Sequence, residues 1–417
     1  MRFGINTLDD IAVEGKTVLL RVDINQPLDR STGALKDITR IKASLPTIKE
    51  LADKKARLVI MAHQGSDIEY KNFFSTEPHA KVLSELLARE VKFIDDVCGP
   101  AAREAIAKLR PGEILLLDNV RFIAEEQTLF ELKLNLSPQE QAETLLVRKL
   151  APLADFYVGD AFAAAHRSQP SLCGFSEILP SAMGRLFEEE YCVVSGLMDR
   201  PERPAVFVLG GAKIADAFLM METVLSNGSA DQVLTGGLVA NIMLWGRGVN
   251  IGAASKEFIR KQGFEDFVET SRELLSKFSD KICLPGDLAS VNNSRRFEHP
   301  ISSLPEEEAL VDIGAKSAEV YAGIIMNAKT VFVNGPMGVF EKPESELGTR
   351  TIWEALRQTE AYTIIGGGDS IAATNKYEMA DRIGYICTGG GALIRFLTGE
   401  ELPAVKALRH GSKIRKG

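Results

Sequence analysis

Tyr362-Thr363-Ile364-Ile365-Gly366-Gly367-Gly368-Asp369-Ser370 is an apolar run that breaks into glycine and then enters Ile371-Ala372-Ala373. It reads as a buried strand, a tight turn and the start of a helix. The same punctuation recurs in the second half of the chain, in AVFVLGGAK at 205–213, TVFVNGPMGVF at 330–340 and YICTGGG at 385–391. In the first half the apolar runs end differently, in Asp, Asn, His and Arg: VLLRVDIN at 18–25, LVIMAHQG at 58–65, ILLLDNVRF at 114–122 and FYVGDAFAAAHR at 156–167. Strands regularly separated by helical segments predict βαβ units and parallel sheets covered on both faces. In open sheets of this kind, ligands bind beyond the carboxyl ends of the strands. The first half is therefore expected to grip a compact anion with side chains. The second is expected to hold phosphates on backbone N–H groups at helix N-termini.

At 417 residues the chain exceeds one ordinary domain and suits two. We expect an N-terminal domain over 1–178, a connector helix over 179–204, a C-terminal domain over 205–391 and a tail over 392–417 that packs back on the first domain or frays. Ser181 to Leu197 reads as part of the connector helix, and Pro201-Glu202-Arg203-Pro204 follows it. In the segment Arg40–Leu51, Ile41, Leu45, Ile48 and Leu51 keep helical spacing, while Pro46 predicts a kink or a late helix start. The fold class is α/β, two doubly wound parallel-sheet domains.

Hydrophobic content of 45% and charged content of 25% are those of a globular protein. A net charge of −8 argues against nucleic-acid binding, and any polyanion site must concentrate its positive charge locally. The N-terminal MRFGINTLDD has no apolar signal-peptide core, and no apolar run approaches the ~20 residues of a membrane span. The five cysteines are odd in number, scattered and never in a CxxC pair, which argues against structural zinc or a disulfide framework. A cytoplasmic monomer that meets small molecules, with neither nucleic acid nor membrane as partner, is the expectation.

Asp23 and Asn25 stand two apart at a strand end and would face the same way. They suit binding of a hydroxyl or carboxylate, and they equally suit an Asx turn. His63 alone is as compatible with a structural imidazole as with a ligand. Arg121 and Arg167 follow apolar strands at equivalent points, which favours anion binding over simple solvation; a hydrogen bond to a charged group contributes about 1.5–3 kcal/mol. Arg40, at the head of its helical segment, suits either an anion site or a solvated face.

On the other side there is no GxxxxGK[ST] loop and no GxGxxG after a strand. Gly366-Gly367-Gly368 lets the backbone approach a phosphate, and Asp369 can hold Mg²⁺ directly or through water. A single such turn could be a capped βα turn. The repetition at Gly210-Gly211, Gly236-Gly237, Gly335 and Gly389-Gly390-Gly391 is what favours a phosphate site. Lys213 would add one cation.

These residues resemble the phosphoglycerate kinase family through nearly the whole chain. RVDINQPLD at 21–29 is similar to the family's RVDFNVPLD, LLLDNVRF at 115–122 to LLENVRF, and DAFAAAHR at 160–167 to DAFGTAHR. LGGAKIAD, VNGPMGVFE, GGGDS and CTGGGA follow in the family's order, making seven motifs in all. The resemblance implies two Rossmann-like domains joined by a hinge helix, with 3-phosphoglycerate or 1,3-bisphosphoglycerate on the first and MgADP or MgATP on the second. It implies phosphoglycerate contacts from Asp23, Asn25, Arg40, His63, Gln64, Gly65, Ser66, Arg121 and Arg167. It implies nucleotide contacts from Gly211, Ala212, Lys213, Gly237, Asn334, Glu341, Gly366, Gly367, Gly368, Asp369 and Ser370, with Glu341 on the ribose and Asp369 on Mg²⁺. Arg40, Lys213, Gly367 and Gly368 would stabilise the group in flight.

Three positions depart from the pattern. The family's HLGRP is His63-Gln64-Gly65-Ser66-Asp67, so its arginine is absent; Ala217 stands where many members carry a second lysine; Val333 stands where tryptophan often precedes NGP. The expected reaction is phosphoryl transfer between an acyl phosphate and ADP. Its nucleophile is already an anion in either direction, so no general base is needed. A catalytically silent nucleotide-responsive protein is the alternative that Ser66 and Ala217 keep open. A dinucleotide-dependent dehydrogenase suits paired α/β domains but lacks GxGxxG.

Overall fold

In the computed structural model, residues 1–29, 31–65 and 73–415 are described. They form two compact units: Met1–Cys192 together with the chain from Glu401 onward, and Val193–Glu400.

The first unit is built on β1 (Thr17–Val22), β2 (Arg57–Met61), β3 (Val91–Ile94), β4 (Ile114–Leu117), β5 (Phe156–Asp160) and β6 (Ser181–Met183). All pair in parallel, in the order β3-β4-β2-β1-β5-β6. The sequence TVLLRV of β1 is buried at every position, as a central strand covered on both faces requires. The chain builds outward from β1 through β2 and later restarts on its other side at β5. That reversal makes the β1/β5 boundary the switch point where a crevice opens.

Two local expectations need correcting. Ser181–Met183 is not helical: it pairs with Tyr157–Gly159 as β6, and the helix runs from Arg185 to Asp199. Three residues are too few for periodicity to distinguish strand from helix. The helix Thr39–Asp53 also continues through Pro46, so there is no late start. Pro46 is exposed, so water can satisfy the carbonyl that its missing N–H releases.

The second unit carries β7 (Ala205–Leu209), β8 (Gln232–Thr235), β9 (Ile282–Cys283), β10 (Asp287–Asn292), β11 (Arg295–Pro300), β12 (Leu310–Ile313), β13 (Thr330–Asn334), β14 (Tyr362–Gly366) and β15 (Tyr385–Ile386). Its parallel sheet has the order β15-β14-β13-β7-β8-β9, so its switch point lies between β7 and β13. A separate antiparallel sheet, β11-β10-β12, was not foreseen from the alternation of strand and helix.

The chain's end is divided between the units. The helix Gly391–Leu397 belongs to the second unit, whereas the helix Pro403–Gly411 belongs to the first. Ala404, Val405, Ala407 and Leu408 of that last helix are buried. Ser412 accepts from Asn6 N at 2.8 Å and donates to Ser181 O at 3.2 Å.

Candidate functional site

In the first unit the carboxyl ends of the strands bring charged side chains around one imidazole. Asp23, just beyond β1, accepts from Asn25 N at 3.2 Å through Oδ1 and from Arg40 Nη1 at 2.9 Å through Oδ2. Asp23 thus makes an Asx turn with one oxygen and an ion pair with Arg40 through the other. Asn25 Oδ1 accepts from Gly65 N at 3.0 Å, joining the loops after β1 and β2. Arg121 is buried and donates from Nη1 to Gly65 O at 2.7 Å. Arg167, half-buried, donates to Thr128 Oγ1 at 2.9 Å.

His63, 6% exposed, lies among them. Burial holds its pKa well below the ordinary imidazole value, and the positive charges of Arg21, Arg121, Arg167 and Arg40 push it further down. Three of the arginines singled out in the sequence thus act on one ring, joined by a fourth from inside β1. Gln64 is placed differently. Its amide is spent within the protein, accepting from Gln26 N at 2.9 Å, donating to Gln26 O at 2.8 Å and meeting His79 Nε2 at 2.9 Å. It holds the loop shape. Ser66 lies outside the described residues.

In the second unit the glycine turns converge at the switch point. Gly210, Gly211, Ala212 and Lys213 after β7, Asn334 and Gly335 after β13, and Gly367, Gly368 and Asp369 after β14 line one pocket. The turns are knitted by Gly210 N to Asn334 O at 3.0 Å, Gly211 N to Pro336 O at 2.8 Å and Gly335 N to Ser370 Oγ at 2.7 Å. At Gly210 a Cβ would stand 2.2 Å from Pro336 O, and at Gly335 (φ +94°) 2.2 Å from Gly210 O. Side chains are excluded where the backbones meet, so the turns can approach this closely only as glycine. The helix Gly368–Lys376 begins here, adding its free N–H groups and partial positive charge. Ser370 is sealed and holds the turn through Gly335, and Gly366 closes β14 beneath Leu393.

A cleft of about 270 Å³ shares Gly211, Ala212 and Asp369 with this pocket and also includes Gly237 and Glu341. Apart from Asn241 its remaining walls are apolar, with Leu238, Phe258, Leu310, Val339 and Phe340 among them. Phe258 is 48% exposed and Val339 42%, a wet hydrophobic lip of the kind that accepts a flat ring. A larger cleft, about 380 Å³, lies by Pro300 and Tyr321 and contains none of the candidate residues.

No group of three or more His, Cys, Asp or Glu side chains among the described residues could cage a metal. A single carboxylate, Asp369, at a phosphate-shaped turn suits Mg²⁺ that arrives on phosphate oxygens and keeps most of its water.

The family model for phosphoglycerate kinase matches residues 8–400. The phosphoglycerate kinase of Methanothermobacter thermautotrophicus is 49% identical over 407 residues, covering 97% of each chain. This chain belongs to the phosphoglycerate kinase family. The phosphoglycerate kinase of Thermococcus kodakarensis is 42% identical over 407 residues, covering 96% of each. Among solved structures, the phosphoglycerate kinase of Pyrococcus horikoshii OT3 superposes with a TM-score of 0.86 at 41% identity, covering 98% of this chain and 99% of that one. That of Coxiella burnetii gives 0.84 at 30%, covering 98% and 100%. Against the phosphoglycerate kinase pattern, Ala217 lines this glycine-walled pocket and leaves Lys213 as the lysine there.

Reading the sequence alone missed Arg21 and the apolar cleft. A basic residue inside the otherwise apolar VLLRV was a visible signal for the first. The cleft carried none, because Leu238, Phe258, Leu310 and Val339 are remote in sequence.

Proposed function

We propose that this chain catalyses reversible phosphoryl transfer between 1,3-bisphosphoglycerate and MgADP, giving 3-phosphoglycerate and MgATP. The observation that carries the reading is the pairing of a ring of arginines about His63 in one unit with the glycine-walled pocket at the switch point of the other.

Asp23, Asn25, Arg40, His63, Arg121 and Arg167 would hold the phosphoglycerate. The arginines neutralise its phosphate and carboxylate, and Asn25 supplies its amide N–H groups. Gly65 and Gln64 shape the loop between them, and we keep Ser66 as a further contact. The turns at Gly211–Lys213 and Gly367–Asp369 would cradle the nucleotide phosphates. The apolar cleft with Gly237 would take the base, Glu341 the ribose, and Asn334 and Ser370 the underside of the turn. Asp369 would hold Mg²⁺ arriving with the nucleotide, and the ion would supply charge neutralisation to the phosphates.

The attacking oxygen, a carboxylate or a β-phosphate oxygen, carries its negative charge already. Alignment and charge stabilisation therefore replace proton transfer. Arg40, Lys213 and the N–H groups after Gly367 and Gly368 would bear on the transferred group. Each half-site lies on its own unit, so the ligands must be brought together. We assign that closure to the helix Arg185–Asp199, which begins in the first unit and ends in the second. A dry closed site would also protect the acyl phosphate from water. The setting is the glycolytic and gluconeogenic cytoplasm, with the chain as a monomer.

The test is 3-phosphoglycerate-dependent ADP formation from MgATP, with the acyl phosphate trapped as it forms. Turnover that requires 3-phosphoglycerate supports the reading; bound MgADP without turnover would mean a silent binding protein. Arg40→Ala should lower turnover at least about a hundredfold while leaving ADP affinity within about twofold. An equal fall in ADP affinity would remove Arg40 from its role.

A further inference from the structure

Arg21 lies inside β1, wholly buried, one residue before the turn that leads to Asp23. Its guanidinium is used on every side. Nε donates to Ser171 Oγ at 2.9 Å, Nη1 to Val22 O at 2.5 Å, and Nη2 meets His63 Nδ1 at 3.2 Å. Ser171 in turn is held by Glu126, another fully buried charge, which accepts from Ser171 N at 2.5 Å and from Ser171 Oγ at 2.7 Å. Tyr157 OH donates to Ser171 O at 2.8 Å. Glu126, Ser171 and Arg21 therefore form a relay that ends on the imidazole.

Arginine has five N–H donors, no acceptor, and stays charged in proteins. The contact with His63 is a hydrogen bond only if Nδ1 offers a lone pair, which leaves the proton of a neutral ring on Nε2. A doubly protonated ring would set N–H against N–H and cation against cation. Nε2 has no hydrogen-bond partner among the described residues.

We propose that Arg21 is a positioning residue: its Nη2 donates to His63 Nδ1 and locks the ring as the neutral Nε2–H tautomer, presenting one N–H donor to the bound acid. The last clause rests on the phosphoglycerate reading of this half-site; the tautomer does not. His63 then contributes direction, not charge. The positive charge of the half-site belongs to Arg40, Arg121 and Arg167, and it does not change across the physiological pH range. The charged groups bearing on the pair are Asp23 beyond β1, Arg40 on its helix, Arg121 after β4, Arg167 after β5 and Glu126 behind Arg21.

The direct test uses the whole chain with ¹⁵N-labelled histidine. Long-range ¹H–¹⁵N spectra distinguish the two tautomers and the imidazolium, and His63→Gln identifies the resonance among the five histidines. The proposal expects Nε2 protonated and Nδ1 bare from about pH 5.5 to 8.5. A proton on Nδ1 at neutral pH overturns it. Removing Arg21 alone would strand Glu126, so the comparison is R21M/E126Q against R21K, which keeps a cationic donor. In R21M/E126Q the ring's protonation should move up into the measured range. The KM for 3-phosphoglycerate should rise about tenfold and become pH-dependent there, with R21K recovering most of both. If R21M/E126Q leaves the ring's titration unchanged, Arg21 does not set it and the proposal fails. Adding 3-phosphoglycerate to the wild type should shift the Nε2–H resonance. No shift would overturn the ligand role of His63 while leaving the tautomer intact.

Discussion

His79 shows how a single side chain can carry a pH dependence that the active chemistry does not need. Its ring is buried against the Gln64 amide, and burial lowers its pKa to about 4, outweighing backbone contacts to Ile24 and Thr76 that favour the charged form. Between about pH 6.5 and 4 the unfolded chain binds a proton here that the folded chain refuses. Stability attributable to His79 is therefore whole above 6.5 and is lost as pH falls toward 4, on the order of 3 kcal/mol in total. His63, lowered by burial and its arginines, adds a slope of the same sign. Asp160 opposes them: burial raises its carboxyl to about 7, so its folded form binds the extra proton and stability falls as pH rises from about 4 to 7. Asp312, raised by burial to about 6, acts in the same sense as Asp160, so the wild-type curve is the balance of several groups and only a difference curve isolates one. Urea midpoints of wild type and His79→Gln should diverge as the pH approaches 6.5 from below, with the variant losing less on acidification. Parallel curves would show that the ring titrates normally.

At the scale of the element, the turns after β7, β13 and β14 fall where their sequence places them because a glycine turn is a local device. Gly210-Gly211, Gly335 and Gly366-Gly367-Gly368 can be read one loop at a time, and the parallel sheet follows from their regular recurrence. What was not legible depends on pairing across the chain. Arg21 meets Glu126 through Ser171, more than 100 residues further on than Arg21, and no periodicity connects them. The three residues of β6 acquire their strand character only by lying beside Tyr157–Gly159. Ser370 and Gln64 looked like ligands in a motif, yet their polar atoms serve the loop itself. Gly335 and Gly248 share φ +94°, but a Cβ on Gly335 would strike Gly210 O whereas one on Gly248 meets nothing within 4 Å. Both alanine variants should lose about 1–3 kcal/mol of stability from the strained backbone. Only Gly335→Ala must separate the turns, so its ADP affinity should fall at least about tenfold while Gly248→Ala binds ADP as the wild type does. Equal affinities would mean that the turn contact does not shape the pocket.

At the scale of the molecule, the first unit is completed by the last residues of the chain. The helix Pro403–Gly411 sets Leu408 against Gly159 of β5, where a Cβ would stand 3.1 Å from the leucine methyl. Ala407 joins Ala161, Ala164, Leu172 and Cys173 in one buried cluster, and Ala404 N donates to Ala165 O at 3.1 Å. These contacts lie beside the loop that carries Arg167, so this segment is part of the scaffold for the anion half-site we propose. Burial of Val405 and Leu408 contributes about 1.5–3 kcal/mol each, and the Ser412 hydrogen bonds add roughly 1 kcal/mol. Ending the chain at Glu400 should therefore cost the first unit about 5 kcal/mol and leave the second unit's core complete. For a unit of this size that lowers its melting temperature by roughly 10–20 °C. Calorimetry of the shortened chain should resolve two transitions where the lower one ignores ADP and the upper one rises with it, since the nucleotide pocket we propose lies in the second unit. A single transition raised by ADP at the wild-type temperature would show that the first unit folds fully without its closing helix, and that β5 needs nothing from the end of the chain to hold Arg167 in place.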